Sequence, residues 1–380
     1  MDYVNQPMIT YIGNKRKLVS WILDVIRGIP GDGLRVLDGF AGSGVVSRAL
    51  RSARSASSAS SAPLCSILHS NDLEYYSHLL LRCYLETPSP DQQARIQQHA
   101  TRMQFEVHGV LDGLLDGVPY EGFVSRLYAP RNTAHPVDGE RCFYTHENAL
   151  LIDGMLHYIF GVEEDIRHWL LGPLLVQASI HVNTAGVFRG FYKKDGIGHF
   201  GGSGENALER ILTPIQWTLP IWDTTPTEVH CHQSDTTALV KGFADASLDV
   251  IYLDPPYNEH PYGSNYFMLN LLARNEEPVE MSRVSGIPKG WNTSPFNGRG
   301  KALGAMRELL RECLRVARYV LVSYNNEGLI TDAQWTALIE ELGCRSEVHE
   351  HVYDAYHGSR NRAARAHHVA ERIYRLSGAR

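Results

Sequence analysis

The run Asp254-Pro255-Pro256-Tyr257 holds the residue types in this chain best suited to chemistry. It closes an apolar stretch, Asp249-Val250-Ile251-Tyr252-Leu253, that reads as a buried strand. Neither proline can donate a ladder hydrogen bond, and each restricts the residue before it, so the strand ends in a stiff, extended lip. Open α/β sheets bind ligands at the carboxyl ends of their strands. At such an end the Asp254 carboxylate and the Pro255 carbonyl can accept two hydrogen bonds from one amino group, while Tyr257 offers its face to a planar ring. That arrangement suits a reaction at an exocyclic amine. Asp-Pro and Pro-Pro are also ordinary turn signals, so these four residues alone describe a strand-ending turn equally well.

A second group of residues points to a ligand. Asp38-Gly39-Phe40-Ala41-Gly42-Ser43-Gly44 follows an apolar run and leads into a helical stretch from Val45. Glycines there let the backbone approach a ligand closely, and a helix N-terminus adds a positive dipole end. The spacing is not the dinucleotide fingerprint, because the third glycine is missing when the motif is read from Gly42, and no P-loop lysine follows. Asp72 closes the next strand, where an acid typically holds ribose hydroxyls. Tyr11-Ile12-Gly13-Asn14-Lys15-Arg16-Lys17-Leu18 joins a Gly-Asn turn to three cations; alone, it reads as the solvated start of a helix. Asn183 to Gly196 interleaves Phe188, Arg189, Phe191, Tyr192, Lys193 and Lys194 with glycines. Such a mixture suits nucleic-acid contact by stacking and phosphate neutralisation, or a surface loop pinned by buried rings. The eighteen histidines show no metal-binding spacing, and no metal is expected.

These residues need a scaffold. Five short apolar runs read as strands: Leu34–Asp38, Cys65–His69, Val229–His232, Val250–Leu253 and Tyr319–Ser323. Helical or loop-like chain separates them, and each ends near a polar or acidic residue, which indicates a parallel α/β sheet with one shared crevice. Val348–Tyr353 and His368–Tyr374 alternate more clearly and suit an antiparallel pair closing that sheet. The gap between the second and third runs, roughly Leu85 to Pro226, is far longer than a crossover needs, so a separate module is expected there. Within it, Asp91–Leu115 and Asn148–Ile180 read as helices. The division expected is 1–84, catalytic domain, first part; 85–226, insert; and 227–380, catalytic domain, second part. Arg51 to Pro63 is rich in Ser and Ala and reads as a mobile loop.

Composition bounds the class. At 380 residues with 43% hydrophobic content, the chain can bury a full core. No apolar run approaches the roughly 20 residues that span a bilayer, and the N-terminus lacks a signal-peptide layout. The six cysteines are scattered without a Cys-x-x-Cys pair, which argues against a zinc site or disulfide framework. A cytoplasmic protein without membrane contact is expected. The net charge is −6, so any attraction for phosphates must be local. One basic segment is the tail from Ala355 to Arg380, with six arginines (Arg360, Arg362, Arg365, Arg372, Arg375, Arg380) against Glu371.

The order Y-I-G-N-K-R-K-L, D-G-F-A-G-S-G, N-D, a long insert, S-D and D-P-P-Y resembles the amino-α class of DNA adenine-N6 methyltransferases, the Dam-like group, over most of the chain. The resemblance implies a Rossmann-like S-adenosylmethionine-dependent methyltransferase sheet with an inserted, largely helical target-recognition domain. It implies that Asp38, Phe40, Ala41, Gly42 and Gly44 bind the cofactor's methionine part, Asp72 its ribose and Asp235 its adenine. Tyr11 and Lys15 would line the cofactor and DNA side, with Asp254 bordering the cofactor as well. Arg189, Tyr192, Lys193, Lys194, Tyr262 and Asn265 become candidate DNA contacts. Pro261–Phe267 suits a base-pocket wall or simple packing beneath a loop.

The implied reaction places the adenine amine between Asp254 and the Pro255 carbonyl, with Pro256 stiffening the lip and Tyr257 stacking on a flipped base. Implied partners are double-stranded DNA and a cognate restriction endonuclease. Cytosine N4, an RNA adenine or a protein amide remain alternative acceptors on the same fold. From another class, a catalytically silent DNA-binding protein is the alternative. Attack at cytosine C5 is disfavoured because no Pro-Cys pair exists, and a nicotinamide oxidoreductase is disfavoured by the incomplete glycine fingerprint.

Overall fold

The computed structural model describes residues 2–55, 62–202, 204–354 and 368–378. Its strands in chain order are β1 (Leu34–Asp38), β2 (Cys65–Asp72), β3 (Lys193–Lys194), β4 (Ile197–Gly198), β5 (Glu228–Gln233), β6 (Leu248–Leu253), β7 (Ala317–Asn325), β8 (Arg345–Asp354) and β9 (His368–Ser377). The chain divides into two compact units. One comprises Lys15–Leu73, Thr225–Pro261 and Thr293–Arg380; the other comprises Met1–Asn14, Glu74–Thr224 and Tyr262–Asn292.

A seven-stranded sheet, in the order β5-β2-β1-β6-β7-β9-β8, forms the first unit. The strands from β5 to β7 run parallel, while β9 is antiparallel to both β7 and β8. Each of the five apolar runs lies within a parallel strand, and the alternating tail segments form the antiparallel pair. Apolar residues fill β6 because it has neighbours on both edges and its residues pack into the core: of its six residues only Asp249 is not buried. That carboxylate accepts a hydrogen bond from Arg35 Nε at 3.1 Å.

The helix Ala302–Val316 buries Ala302, Met306, Leu309, Leu310, Cys313 and Val316, one stripe at helical spacing. They join Leu37, Ile251, Val320 and Leu376 in one core, where each large aliphatic side chain contributes about 1.5–3 kcal/mol. From β1 the chain builds outward through β2 to β5, then resumes on the other side of β1 with β6 and β7. This reversal opens a crevice at the carboxyl ends of β1 and β6, as in Rossmann-like methyltransferase sheets.

Helices dominate the second unit. Pro90–Leu111 starts at a Ser89–Gln92 capping box with proline in the first turn. The segment expected as one helix from Asn148 to Ile180 is two, His146–Phe160 and Glu164–Ile180. Gly161 caps the first, and the acids Glu164 and Asp165 open the second, where the helix dipole favours negative charge. This unit takes in more chain than residues 85–226. The helix Tyr75–Leu85 belongs to it because Tyr76, Leu79, Leu80, Cys83 and Tyr84 are buried in one core with Leu170 and Leu174.

In the Ser/Ala-rich stretch, Arg51 and Ser52 finish a helix and Arg54 pairs with Pro63 in an antiparallel bridge; residues 56–61 lie outside the described residues. Among the described residues no helix is long and apolar enough to cross a membrane.

Candidate active site

The lip stands where β6 stops. Asp254 follows Leu253 directly, with Pro255 buried behind it and Asp254 itself 16% exposed in its side chain. Its Oδ1 is buried and lies 3.0 Å from Lys15 Nζ, so the exposure falls on the remainder of the group. Lys15 is almost fully buried, and its ammonium also lies 3.0 Å from Glu371 Oε1. Ser323 Oγ, at the carboxyl end of β7, donates to that same oxygen at 2.6 Å. Burial pushes the Asp254 acid up to about 6; Lys15 opposes the rise and the Glu371 charge adds to it. Burial works against the Lys15 ammonium, yet Asp254, Tyr257 and Glu371 together hold it well above the ordinary lysine range. Lys15 is thus a buried counter-ion shared by two carboxylates.

Tyr257 is fixed from several sides. Its ring centroid lies 5.3 Å from Lys15 Nζ, and its ring meets Tyr324 edge-on at 5.9 Å. Leu329 N donates to the Tyr257 carbonyl at 3.1 Å, so the loop after β7 latches onto the lip. Among the described residues no donor is bonded to the Pro255 carbonyl.

The glycine loop borders the same crevice. Gly39 N donates to Tyr252 O and Ala41 N to Asn71 O, each at 2.9 Å, which ties the loop to β6 and β2. Gly42 N donates to Asp72 Oδ2 at 2.8 Å, so one oxygen of the expected ribose ligand is spent on ordering the loop. Gly42 and Gly44 have φ of 53° and 73°, left-handed values that a side chain resists. Gly44 caps the helix Val45–Ser52. Phe40 packs edge-on against Phe296 at 5.4 Å. Ser47 Oγ donates to Asp38 Oδ2 at 2.6 Å, while Asp38 Oδ1 is buried with no hydrogen-bond partner among the described residues. Burial pushes Asp38 up to about 7 against the Ser47 hydrogen bond, and the charges of Asp254 and Asp72 add to the rise. Asp235 is exposed and caps the helix Thr236–Lys241, accepting from Ala238 N at 3.0 Å.

Other expected residues fall in the helical unit. Tyr11 stacks on both Tyr262 and Tyr266, with ring centroids 5.0 Å apart in each pair. Tyr262 donates to Ile12 O at 3.1 Å, and Tyr266 accepts from Ile12 N at 2.7 Å. Asn265, expected at DNA, is buried; its backbone carbonyl accepts from Phe188 N at 2.8 Å, while its side-chain Oδ1 has no hydrogen-bond partner among the described residues. The Gly-rich loop condenses into a hairpin of β3 and β4 around Asp195 and Gly196, whose φ values of 52° and 87° suit a type I′ turn. It exposes Lys193 and Lys194; Arg189 is exposed and Tyr192 half-buried nearby.

Among the described residues, the tail's two arginines are both paired with carboxylates. Arg372 pairs with Asp332 and Glu350, and Arg375 with Glu347. Arg360, Arg362, Arg365 and Arg380 lie outside the described residues. The residue that sequence reasoning missed is Glu371, counted there only as the tail's single acid. Its signal was a carboxylate sharing one face of an alternating strand with Ile373, which is fully buried.

The D12 class of N6 adenine-specific DNA methyltransferases matches residues 11–111 and 121–294, which is most of the chain. The chain belongs to this family. It is an adenine-N6 DNA methyltransferase, and the methyl donor of that family is S-adenosylmethionine. Among its relatives is the type II methyltransferase M.NlaIII of Neisseria lactamica, 26% identical over 88% of this chain and 89% of its own length. The type II methyltransferase M.CviAII of Paramecium bursaria Chlorella virus 1 is 28% identical over 90% of this chain and 91% of its own. The modification methylase StsI of Streptococcus sanguinis is 26% identical over 87% of this chain and 46% of its own.

The crevice suits this family's donor. S-adenosylmethionine carries a net positive charge from its sulfonium and ammonium groups. Asp38 and Asp72 bring two carboxylates to the glycine loop, and the orphaned Asp38 Oδ1 is an acceptor lacking a donor. No group of three or more His, Cys, Asp or Glu side chains suited to a metal ion occurs among the described residues.

Proposed function

We propose that this methyltransferase acts on adenine in a specific sequence of double-stranded DNA, with Asp254 and the Pro255 carbonyl receiving the two hydrogens of the amine. The observation that carries the reading is the divided Asp254 carboxylate. One oxygen is anchored to Lys15, and the rest of the group keeps the exposure through which an incoming base would meet it.

The adenine amine is a weak nucleophile because its lone pair is delocalised into the ring. Two acceptors placed on its two hydrogens favour a pyramidal nitrogen with the lone pair directed away from them. That is catalysis by positioning and fixed charge, with no covalent enzyme intermediate. S-adenosylmethionine, when bound, supplies an electrophilic methyl group on its sulfonium. Asp254 then takes up the proton shed by the methylated nitrogen, and an acid of pKa about 6 returns it to solvent at neutral pH. Tyr257, braced by Tyr324 and Lys15, offers its ring to the extruded base.

Asp38, Phe40, Ala41, Gly42, Gly44 and Asp72 would hold the donor, with Asp235 at its adenine; Tyr11 would lie toward the donor and DNA. Lys15 serves instead as the counter-ion of Asp254, because its buried ammonium is already committed to carboxylates. The helical unit would choose the sequence, with Arg189, Tyr192, Lys193, Lys194 and Tyr262 toward DNA. Several relatives bear modification-methylase or type II names, which supports a role as the modification partner of a restriction endonuclease.

The test supplies labelled donor to the protein with mixed-sequence duplex DNA, the separated strands and RNA, followed by digestion to nucleosides. Label is expected in N6-methyladenosine from the duplex only and within one short sequence. Asp254→Asn is expected to lose about 10²–10³-fold in turnover while keeping donor affinity. Label in RNA, or an active Asp254→Asn protein, sinks the reading.

A further inference from the structure

Glu371 has no place in the reaction as described, yet it is among the most enclosed charged groups in the sheet unit. It lies on β9, opposite Asn325 of β7, with its side chain fully buried. Oε1 receives both Lys15 Nζ at 3.0 Å and Ser323 Oγ at 2.6 Å, while Oε2 is buried without a hydrogen-bond partner among the described residues. Burying a carboxylate is costly unless it is paired, and a strand that needed only packing would carry an aliphatic residue here, as it does at Ile373. We propose that Glu371 is a positioning residue for methyl transfer, acting through the shared Lys15 ammonium to hold Asp254 in place and keep it basic.

The geometry makes Lys15 a bridge. With two carboxylates at equal distance, its ammonium is divided, and Asp254 receives only part of its pull. Were Glu371 neutral, the whole charge would fall on Asp254, making it more acidic and a poorer acceptor for the amine hydrogens. Ser323 fixes the far end of the bridge, so an antiparallel strand from the tail sets the electrostatics of a lip that ends a parallel strand. The other charged or titratable groups bearing on this carboxylate are few. Among the described residues they are Tyr252 on β6 and Asp38 at the end of β1, with Tyr257 acting on Lys15 and Asp72 on β2 acting on Asp38. Among the described residues, Glu371 is the other carboxylate paired with the lysine, at the same 3.0 Å.

The inference rests on Asp254 being the amine acceptor, and its test separates the two ideas. Single-turnover rates are measured from pH 5 to 9 for the native chain, Glu371→Gln, Glu371→Asp and Asp254→Asn, with donor affinity by calorimetry and melting temperature alongside. For Glu371→Gln the plateau rate is expected to fall on the order of 10- to 100-fold, with donor and DNA affinities unchanged. Its acid limb is expected to move from about 6 toward the ordinary carboxylate range. Glu371→Asp keeps the charge but withdraws it by one methylene, so it should move both quantities in the same direction by less; it decides the matter if the glutamine variant does not fold. An unmoved rate and acid limb in the folded variants overturn the proposal. So does a rate lost only in step with donor affinity and melting temperature, which marks a purely structural carboxylate. An active Asp254→Asn protein instead overturns the reading beneath it.

Discussion

Two carboxylates in the crevice titrate within reach of neutral pH, and they govern different measurements. In the proposed reaction Asp254 is ionised to accept the amine hydrogens, and its acid is raised to about 6, first by burial and then by Glu371. The turnover number should therefore fall about tenfold for each pH unit below 6, well above the range of an ordinary aspartate. A limb near pH 4 in single-turnover rates with saturating donor would contradict that ionisation. Asp38, proposed to hold the donor, would report on binding. Burial lifts it to about 7, so much of the free protein carries a proton there at neutral pH. A cationic donor favours the ionised form, so affinity should strengthen as pH rises through 7, with protons released on binding. Calorimetry in two buffers of different ionisation enthalpy measures that release, and Asp38→Asn should abolish it. A donor affinity flat between pH 6 and 8 would remove Asp38 from the donor's surroundings.

At the level of elements, the hairpin of β3 and β4 is the part of the helical unit proposed for phosphate contact. Its I′ turn at Asp195 and Gly196 exposes Lys193 and Lys194 side by side. If each neutralises one phosphate, Lys193→Ala with Lys194→Ala should weaken DNA binding and flatten the plot of log K against log salt by about 0.9 for each lysine. An unchanged slope excludes them as phosphate contacts. The hairpin also shows what sequence could convey. Asp-Gly between short segments is a strong local turn signal, but two-residue strands are too short to show periodicity. The parallel strands were legible because burial on both faces makes them continuous apolar runs, as in Val250–Leu253. The tail pair was legible through alternation. Glu371 was not, because a charge on a strand face looks solvated until its partner is known, and Lys15 lies more than 350 residues away in the chain. The burial of Asn265 was hidden for the opposite reason: a polar side chain beside tyrosines suggests a surface, whereas it lies inside. The break at Gly161 was hidden by apolar residues on both sides of it.

For the whole molecule the decisive question is how an amine inside a duplex reaches a carboxylate fixed at the end of a sheet strand. Asp254 cannot advance, since its Oδ1 is held by a buried lysine and its backbone by two prolines. On the proposed reading the base therefore comes out of the stack, against an unpairing and unstacking cost of a few kcal/mol. A net charge of −6 supplies no general attraction to offset that cost, so specific contacts and local cations must do so. Two consequences follow for a duplex carrying the recognition sequence. Replacing the target adenine with 2-aminopurine should give a fluorescence rise on binding, because the probe brightens when it leaves the stack. Placing a mismatched base opposite the target should tighten binding, because part of the unpairing cost is already met before the protein arrives. Both effects should persist in Asp254→Asn, in which extrusion remains while the acceptor of the amine is lost. A mismatch that weakens binding would mean that the adenine is approached while still stacked, which the proposed placement of its amine at Asp254 does not allow.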